Sequence, residues 1–267
     1  MGRHVGLIAA FARTTLQQHL AYPGDFWLAP IARLGAAFAM IGFWSAIYQP
    51  GASYGGLTRD MMLTWAAAGV VLNQLVNVDI GDGIAERIRR GDIVFEVLRP
   101  ASFQAQAFGT WLGRVAYTLA IDTLPICIVL WGIARIGGPT GVDGSALAML
   151  SLILAMLTAF LLQYSVILIG FWTIRVRTWT WLLNSTFALA SGAIVPLWML
   201  PDGLRFALQY TPISTLFHAP LSIFVGRATG AEAASLIAAQ VLWLPVLWLI
   251  SRWMMDQARR RVLIQGG

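Results

Sequence analysis

Uncharged, mostly apolar runs occupy 34–58, 61–78, 144–174, 178–201, 206–226 and 233–251, separated by short clusters of arginine and acid. Each approaches or exceeds the roughly 18 to 20 residues a helix needs to cross a hydrocarbon core. Membrane barrel strands would show about 10-residue stretches of strict alternation instead. The pattern therefore predicts an all-α integral membrane protein. A further run, Gln106 to Ala134, is apolar but holds Arg114 and Asp122, whereas 206–226 is interrupted by Pro212, His218 and Pro220. If both crossed, the chain would have seven spans and Arg259, Arg260 and Arg261 would lie outside. If only 106–134 crosses, there are six spans and both ends share a side. That side then carries Arg3, Arg13, Arg87, Arg89, Arg90, Arg99, Arg175, Arg177, Arg252, Arg259, Arg260 and Arg261, against Arg59, Arg135, Arg205 and Arg227 opposite. Basic residues collect on the cytoplasmic side of membrane proteins, so six spans with both termini cytoplasmic is the expected topology, in the cell membrane.

The expected spans are 27–48, 61–78, 106–134, 146–173, 179–200 and 235–254, forming one transmembrane domain over 1–267. Residues 3–20 place Val5, Ile8, Ala9, Ala12 and Leu16 on one face, which predicts an amphipathic helix lying along the inner surface. Trp27 and Tyr48 suit the two interfaces of the first span. Arg33, one to two turns inside, and Arg114, near the inner end of the third span, are expected to snorkel. Residues 202–230 become an external segment, either an ordered loop or short re-entrant helices at 192–201 and 212–226. Irregular backbone at membrane depth requires shielding by protein or water.

Composition agrees. Hydrophobic residues make up 58% and charged ones 11%, against about 25% charged in soluble domains, and mean hydropathy is +0.71. The net charge of +6 follows from the topology, so no nucleic-acid partner is expected. Cys127 lies in an apolar run, and His4, His19 and His218 have no acid or cysteine at ligand spacing, so neither a disulfide framework nor a metal site is predicted. Arg13 interrupts the first apolar stretch and no small-residue cleavage pattern follows, so no cleavable signal is expected. No G-x-x-x-x-G-K-[ST] phosphate loop occurs and the chain contains no lysine, which excludes that type of ATP site. Serine and aspartate form no nucleophile-elbow pattern. The chain is not expected to be an enzyme.

One segment is densely charged. Between 79 and 100, Asp79, Asp82, Glu86, Asp92 and Glu96 alternate with Arg87, Arg89, Arg90 and Arg99. Asp82 can cap a helix from Gly83 to Arg90, which Gly91 can stop. Glu86 and Arg90 fall one turn apart, and Ile84 and Ile88 mark the opposite side. Charge alone leaves two readings, a solvated loop or a docking point. Within the spans, Asp122 is placed to pair with another helix or line a path, while Gln163 and Asn184 are candidates for interhelical hydrogen bonds or the same path. Trp172, Trp179, Trp181 and Trp198 read as interfacial anchors.

GDIVFEVLRP, at 91–100, resembles the segment after the second span in permease subunits of type 2 ABC exporters of the multidrug and viologen-exporter kind. SGAIVPLWMLPDGLRFALQYTPISTLFHAPLSIFVGR, at 191–227, resembles that family's fifth span and external segment. The resemblance implies a half-transporter that works with a second permease, identical or homologous, and two cytosolic ABC ATPase subunits that bind ATP and magnesium. This chain would hold no cofactor. The helix at 83–90 would be the coupling helix, with Glu86, Arg87 and Arg90 contacting the ATPase, Gly83 and Gly91 bounding it, and Ile84 and Ile88 facing membrane or groove. The implied substrate is hydrophobic or amphiphilic: a drug, lipid or lipid-linked molecule. Two alternatives stand beside it, an ion- or proton-coupled carrier using Asp122 and a non-transporting assembly subunit.

Overall fold

A computed structural model describes residues 2–20, 28–49, 51, 53–54, 56–78, 80–81, 103–133, 136–137, 141–173 and 176–265. Among them, four helical stretches are long and apolar enough to cross a membrane: Pro30–Ile47, Phe103–Ile133, Gly144–Phe171 and Gly230–Arg261. They correspond to the expected first, third, fourth and sixth spans. The protein is a multi-pass, all-α membrane protein.

Helix α1 (Gly2–Leu20) precedes α2 (Leu28–Ile47), and a small antiparallel hairpin, β1 (Ser53–Tyr54) with β2 (Leu57–Thr58), leads into α3 (Arg59–Val76). Thr58 caps α3, its hydroxyl accepting from the Met61 amide at 3.4 Å. The third apolar stretch begins as α4 (Phe103–Tyr117) and continues as a π-helical segment (Thr118–Thr123), α5 (Leu124–Cys127) and a second π-helical segment (Ile128–Ile133). Pro125 has no amide hydrogen to donate to the preceding turn, and widened turns beside it accommodate that loss.

Then follow α6 (Gly141–Leu168) and α7 (Val176–Ala190). The expected continuous span at 179–200 is helical only to Ala190. Ser191 donates its hydroxyl to the Phe187 carbonyl, Gly192 takes a left-handed φ of +86°, and the chain runs irregularly to a 3-10 turn at Leu197–Met199. A glycine that can adopt positive φ ends helices readily, and Pro196 and Pro201 prevent a restart in between. Two short helices follow, α8 (Asp202–Gln209) and α9 (Ser214–Phe224), and then the long α10 (Gly230–Gln265). The last helix overruns the expected 235–254 at both ends.

Helix α6 is central. Its C-terminal half packs with α4 and α10 through Phe108, Phe160, Tyr164, Leu247 and Met255. Its other half packs with α9, and Leu216, Phe217 and Leu221 of α9 are buried together with Trp65 of α3 and Ala159 of α6. Gln240 of α10 fixes this arrangement. It accepts from the Ser151 hydroxyl at 2.8 Å and donates to the carbonyls of Ser151 and Thr215 at 3.0 and 2.9 Å. One fully buried carboxamide thus ties α10, α6 and α9.

Helix α1 docks lengthwise on α4. Gly109 faces Ile8 and Phe11, Gly113 faces Ala12 and Thr15, and His19 meets Tyr117 with ring centroids 5.4 Å apart. The register rises together on both helices, so they run parallel and α1 shares the inclination of α4. A Cβ on Gly109 would stand 2.7 Å from the Ile8 carbonyl oxygen. Leucine at Gly113 must therefore push the pair apart, an overpacking cost of about 1–3 kcal/mol. Gly113→Leu is expected to lower the thermal midpoint in detergent and speed amide exchange in α1, whereas Gly35→Ala, with open space around it, should leave both unchanged.

Burial first, and Arg114 second, hold the His19 pKa below its ordinary 6.5, although its ring nitrogen lies 3.1 Å from the Thr15 carbonyl oxygen. A depressed histidine favours the docked state above its ordinary pKa and loses that advantage as pH falls through the docked value. Amide exchange in α1, corrected for intrinsic rates, should accelerate between pH 7.5 and 5, and His19→Phe should flatten the dependence.

Candidate functional site

Asp122 is the one acid in the apolar part of the third stretch, and the π-helical turn before Pro125 sets its direction. Its side chain is 9% exposed and its Oδ2 lies 2.5 Å from Nη1 of Arg33 on α2, whose side chain is 39% exposed. Arg33 was expected to snorkel; instead it is an interhelical partner. A lone charge at mid-span costs about 2.5–3.5 kcal/mol on insertion scales, so an acid and a base on neighbouring helices relieve each other.

Arg33 also lines a cavity of about 310 Å³ between α2, α3 and the irregular link after α7. Among the described residues, its other polar lining residues are Asn73 and Gln74 of α3 and Asn77, which follows it. Ala66, Gly69, Val70, Asn73 and Asn77 recur at three- and four-residue steps, so one face of α3 forms the wall. Gly69 lets the link approach, since a Cβ there would stand 3.3 Å from the Ala193 carbonyl oxygen. Ala193 and Ile194 close the far side.

The polar atoms of this wall are poorly matched by protein. Nε2 and Oε1 of Gln74 and Oδ1 of Asn77 are buried without a hydrogen-bond partner among the described residues. An unmatched buried polar atom costs about 1–3 kcal/mol, and these three carry it inside the packing and not at the cavity surface. Among the described residues, the polar lining is one guanidinium and three carboxamides, with Asp122 behind the guanidinium.

The sequence from 34 to 266, which contains the whole cavity apart from Arg33, matches the family described as ABC-2 family transporter protein. The chain belongs to that family. No curated protein matches it. As an ABC-2 permease it is a membrane subunit of the kind that associates with an ABC ATPase.

The ABC-2 permease distributes the residues singled out by sequence unevenly. Gln163 donates to the Val76 carbonyl at 2.9 Å, tying α6 to the end of α3 one residue before Asn77. Asn184 is half-buried on α7 and does not line the cavity. Gly83, Ile84, Glu86, Arg87, Ile88, Arg90 and Gly91 lie outside the described residues. Trp172, Trp179 and Trp181 are exposed. Trp198 is instead packed inside, edge-on to Trp65 at 4.6 Å and beneath the Arg227 guanidinium at 4.4 Å. Asn73, Gln74 and Asn77 were missed by a reading that scanned for charge. Three carboxamides within five residues of an apolar run were the available signal.

Removing one partner of a buried ion pair leaves the other uncompensated. Because Arg33 opens onto the cavity, Asp122→Asn and Arg33→Leu are each expected to destabilise by about 3 kcal/mol, measured by denaturant or thermal unfolding in detergent. The double variant should lose less than the sum, giving a coupling of at least about 1 kcal/mol.

Proposed function

We propose that this protein is the permease half of an ATP-driven exporter, pairing with a second permease and two cytosolic ATPase subunits to move a hydrophobic or amphiphilic molecule out across the cell membrane. The observation that carries the reading is a cavity lined by Arg33 and the carboxamide residues of α3, beside the Arg33–Asp122 pair, in a chain that matches the ABC-2 family. In this topology there are six spans. α3 and α7 are the short second and fifth ones, α1 runs alongside the first part of the third span and not flat along the inner surface, both termini are cytoplasmic, and α9 is re-entrant from the outer side.

The chain's own residues supply a route for force. The helix at 83–90 receives the push from the ATPase, and the residues flanking that segment are locked together. Leu75, Val78 and Ile80 before it are buried in one cluster with Phe103, Ala107 and Tyr164 after it. Gln163 fixes the same level through Val76. Movement of the coupling helix therefore reaches α3 directly, and with it Asn73, Gln74 and Asn77 on the cavity wall. Widening between α2 and α3 would open the cavity toward the partner permease. The alternative of a proton-coupled carrier is weakened by the pairing of Asp122 with Arg33, which already satisfies the acid.

The protein should co-purify with a soluble ABC ATPase. Glu86→Arg and Arg90→Glu should each reduce permease-stimulated ATP hydrolysis by more than tenfold while size-exclusion profile and melting temperature stay as in the parent. ATP-independent transport lost in Asp122→Asn would overturn the reading in favour of a carrier.

A further inference from the structure

A second cavity, a groove of about 920 Å³, runs between α4, α6 and α10. Its apolar part is made by Phe108 of α4, Leu157 and Leu161 of α6, and Leu244 and Pro245 of α10. One turn beyond Leu244, Trp248 joins the lining, and Arg252 follows a turn later. The Arg252 guanidinium lies over the Trp248 ring, 5.2 Å from its centroid. Both residues are exposed. At 1.5 Å per residue, Leu244 and Arg252 stand about 12 Å apart along α10, close to the depth of one leaflet in a hydrocarbon core of about 30 Å. Tryptophan marks the membrane interface, and past it α10 carries Asp256, Arg259, Arg260 and Arg261. The groove therefore spans one leaflet, its apolar part in the hydrocarbon and Arg252 at the level of the head groups.

We propose that this groove binds a phospholipid of the leaflet in which α10 ends, one acyl chain lying along Phe108, Leu157 and Leu244 and the phosphate on Arg252. Among the described residues, the groove shares no lining residue with the cavity beside Arg33, so the site does not depend on the transport reading. A void inside hydrocarbon forfeits the dispersion contacts of its walls, and apolar walls give water nothing to bond, so an acyl chain is the filling these walls favour. The volume is at the upper end of ligand pockets, enough for one chain while the second stays in the bilayer. A guanidinium presents a planar fork that takes two phosphate oxygens at once. Trp248 holds that fork at the mouth of the groove through its ring face. Arg252 is also the cation nearest the apolar part along α10, eight residues from Leu244 against fifteen for Arg259, which has Asp256 at 4.0 Å. What is recognised is the phosphate. Phosphatidylglycerol and phosphatidylethanolamine both fit, whereas diacylglycerol, with the same chains and no phosphate, fills the groove without the anchor.

The test uses the full chain in dodecyl maltoside, a detergent without phosphate, and a phosphatidylglycerol carrying a diazirine on one acyl chain, with labelled peptides mapped by mass spectrometry. Labelling is expected on peptides containing Phe108, Leu157 to Leu161 or Leu244 to Trp248. Unlabelled phosphatidylglycerol and phosphatidylethanolamine should compete, and diacylglycerol of the same chains at least tenfold less well. Arg252→Gln should cut labelling of these peptides at least tenfold, whereas Arg260→Gln, outside the groove lining, should leave it unchanged. Leu157→Trp, which fills the apolar end while Arg252 stays intact, should also cut it at least tenfold. Melting temperature and size-exclusion profile identify any variant that misfolds, and the competition series on the parent chain needs no variant. Equal competition by diacylglycerol, labelling spread evenly over the lipid-facing helices, undiminished labelling in folded Arg252→Gln, or an equal loss in Arg260→Gln would overturn the proposal.

Discussion

Hydrocarbon offers no hydrogen bonds, so every polar group carried to membrane depth must find its complement in the protein. That constraint explains most of the specific contacts here. Gln240 satisfies Ser151 and Thr215 at once, Gln163 meets a backbone carbonyl, and Arg33 meets Asp122. Between these fixed points the packing is apolar and small residues set the spacing, most plainly where Gly109 and Gly113 admit α1. The match is incomplete: Gln74, Asn77, Thr158 and Tyr164 each keep a buried polar atom without a hydrogen-bond partner among the described residues.

The two kinds of polar contact divide the molecule. Ties at Gln240 and around α6 hold α9 and α10 as one block. On the other side, α2 and α3 meet the third stretch through one ion pair and the cluster of Ala37, Ala67, Ile126 and Leu130. A cavity lies on that side, and the chain leaves it toward the charged segment at 79–100. The division is a natural one for a domain in which one part holds still while another is moved.

Much of the fold was legible because charge is expensive in a membrane: uncharged runs gave α2, α3, α6 and most of α10 within a few residues. The same criterion misjudged 178–201, where charge is absent but Gly192, Pro196 and Pro201 end the helix. It also could not place α9, whose burial among α3, α6 and α10 is a tertiary fact carried by Leu216, Phe217 and Leu221. Asp122 was visible and its partner was not, because the pairing depends on a π-helical turn that rotates the carboxylate toward α2. Asn73, Gln74 and Asn77 were in plain view and uncharged, and what they do depends on Gly69 letting the link after α7 come close. Residues 83–90 lie outside the described residues, and their case rests on sequence.

The Arg33–Asp122 pair also has a time order. Ribosomes deliver Arg33 first, and Asp122 follows 89 residues later, after α3 and the charged segment have already emerged. Through that interval α2 must enter the bilayer with an unpaired guanidinium one to two turns from its end, at a cost below the about 2.5–3.5 kcal/mol of a charge at the helix centre. The first helix is therefore less secure in the membrane when it is made than after the third arrives with the matching acid. Biogenesis of this permease is cooperative between segments far apart in the chain, and a chain truncated before Asp122 retains the least secure of its membrane helices.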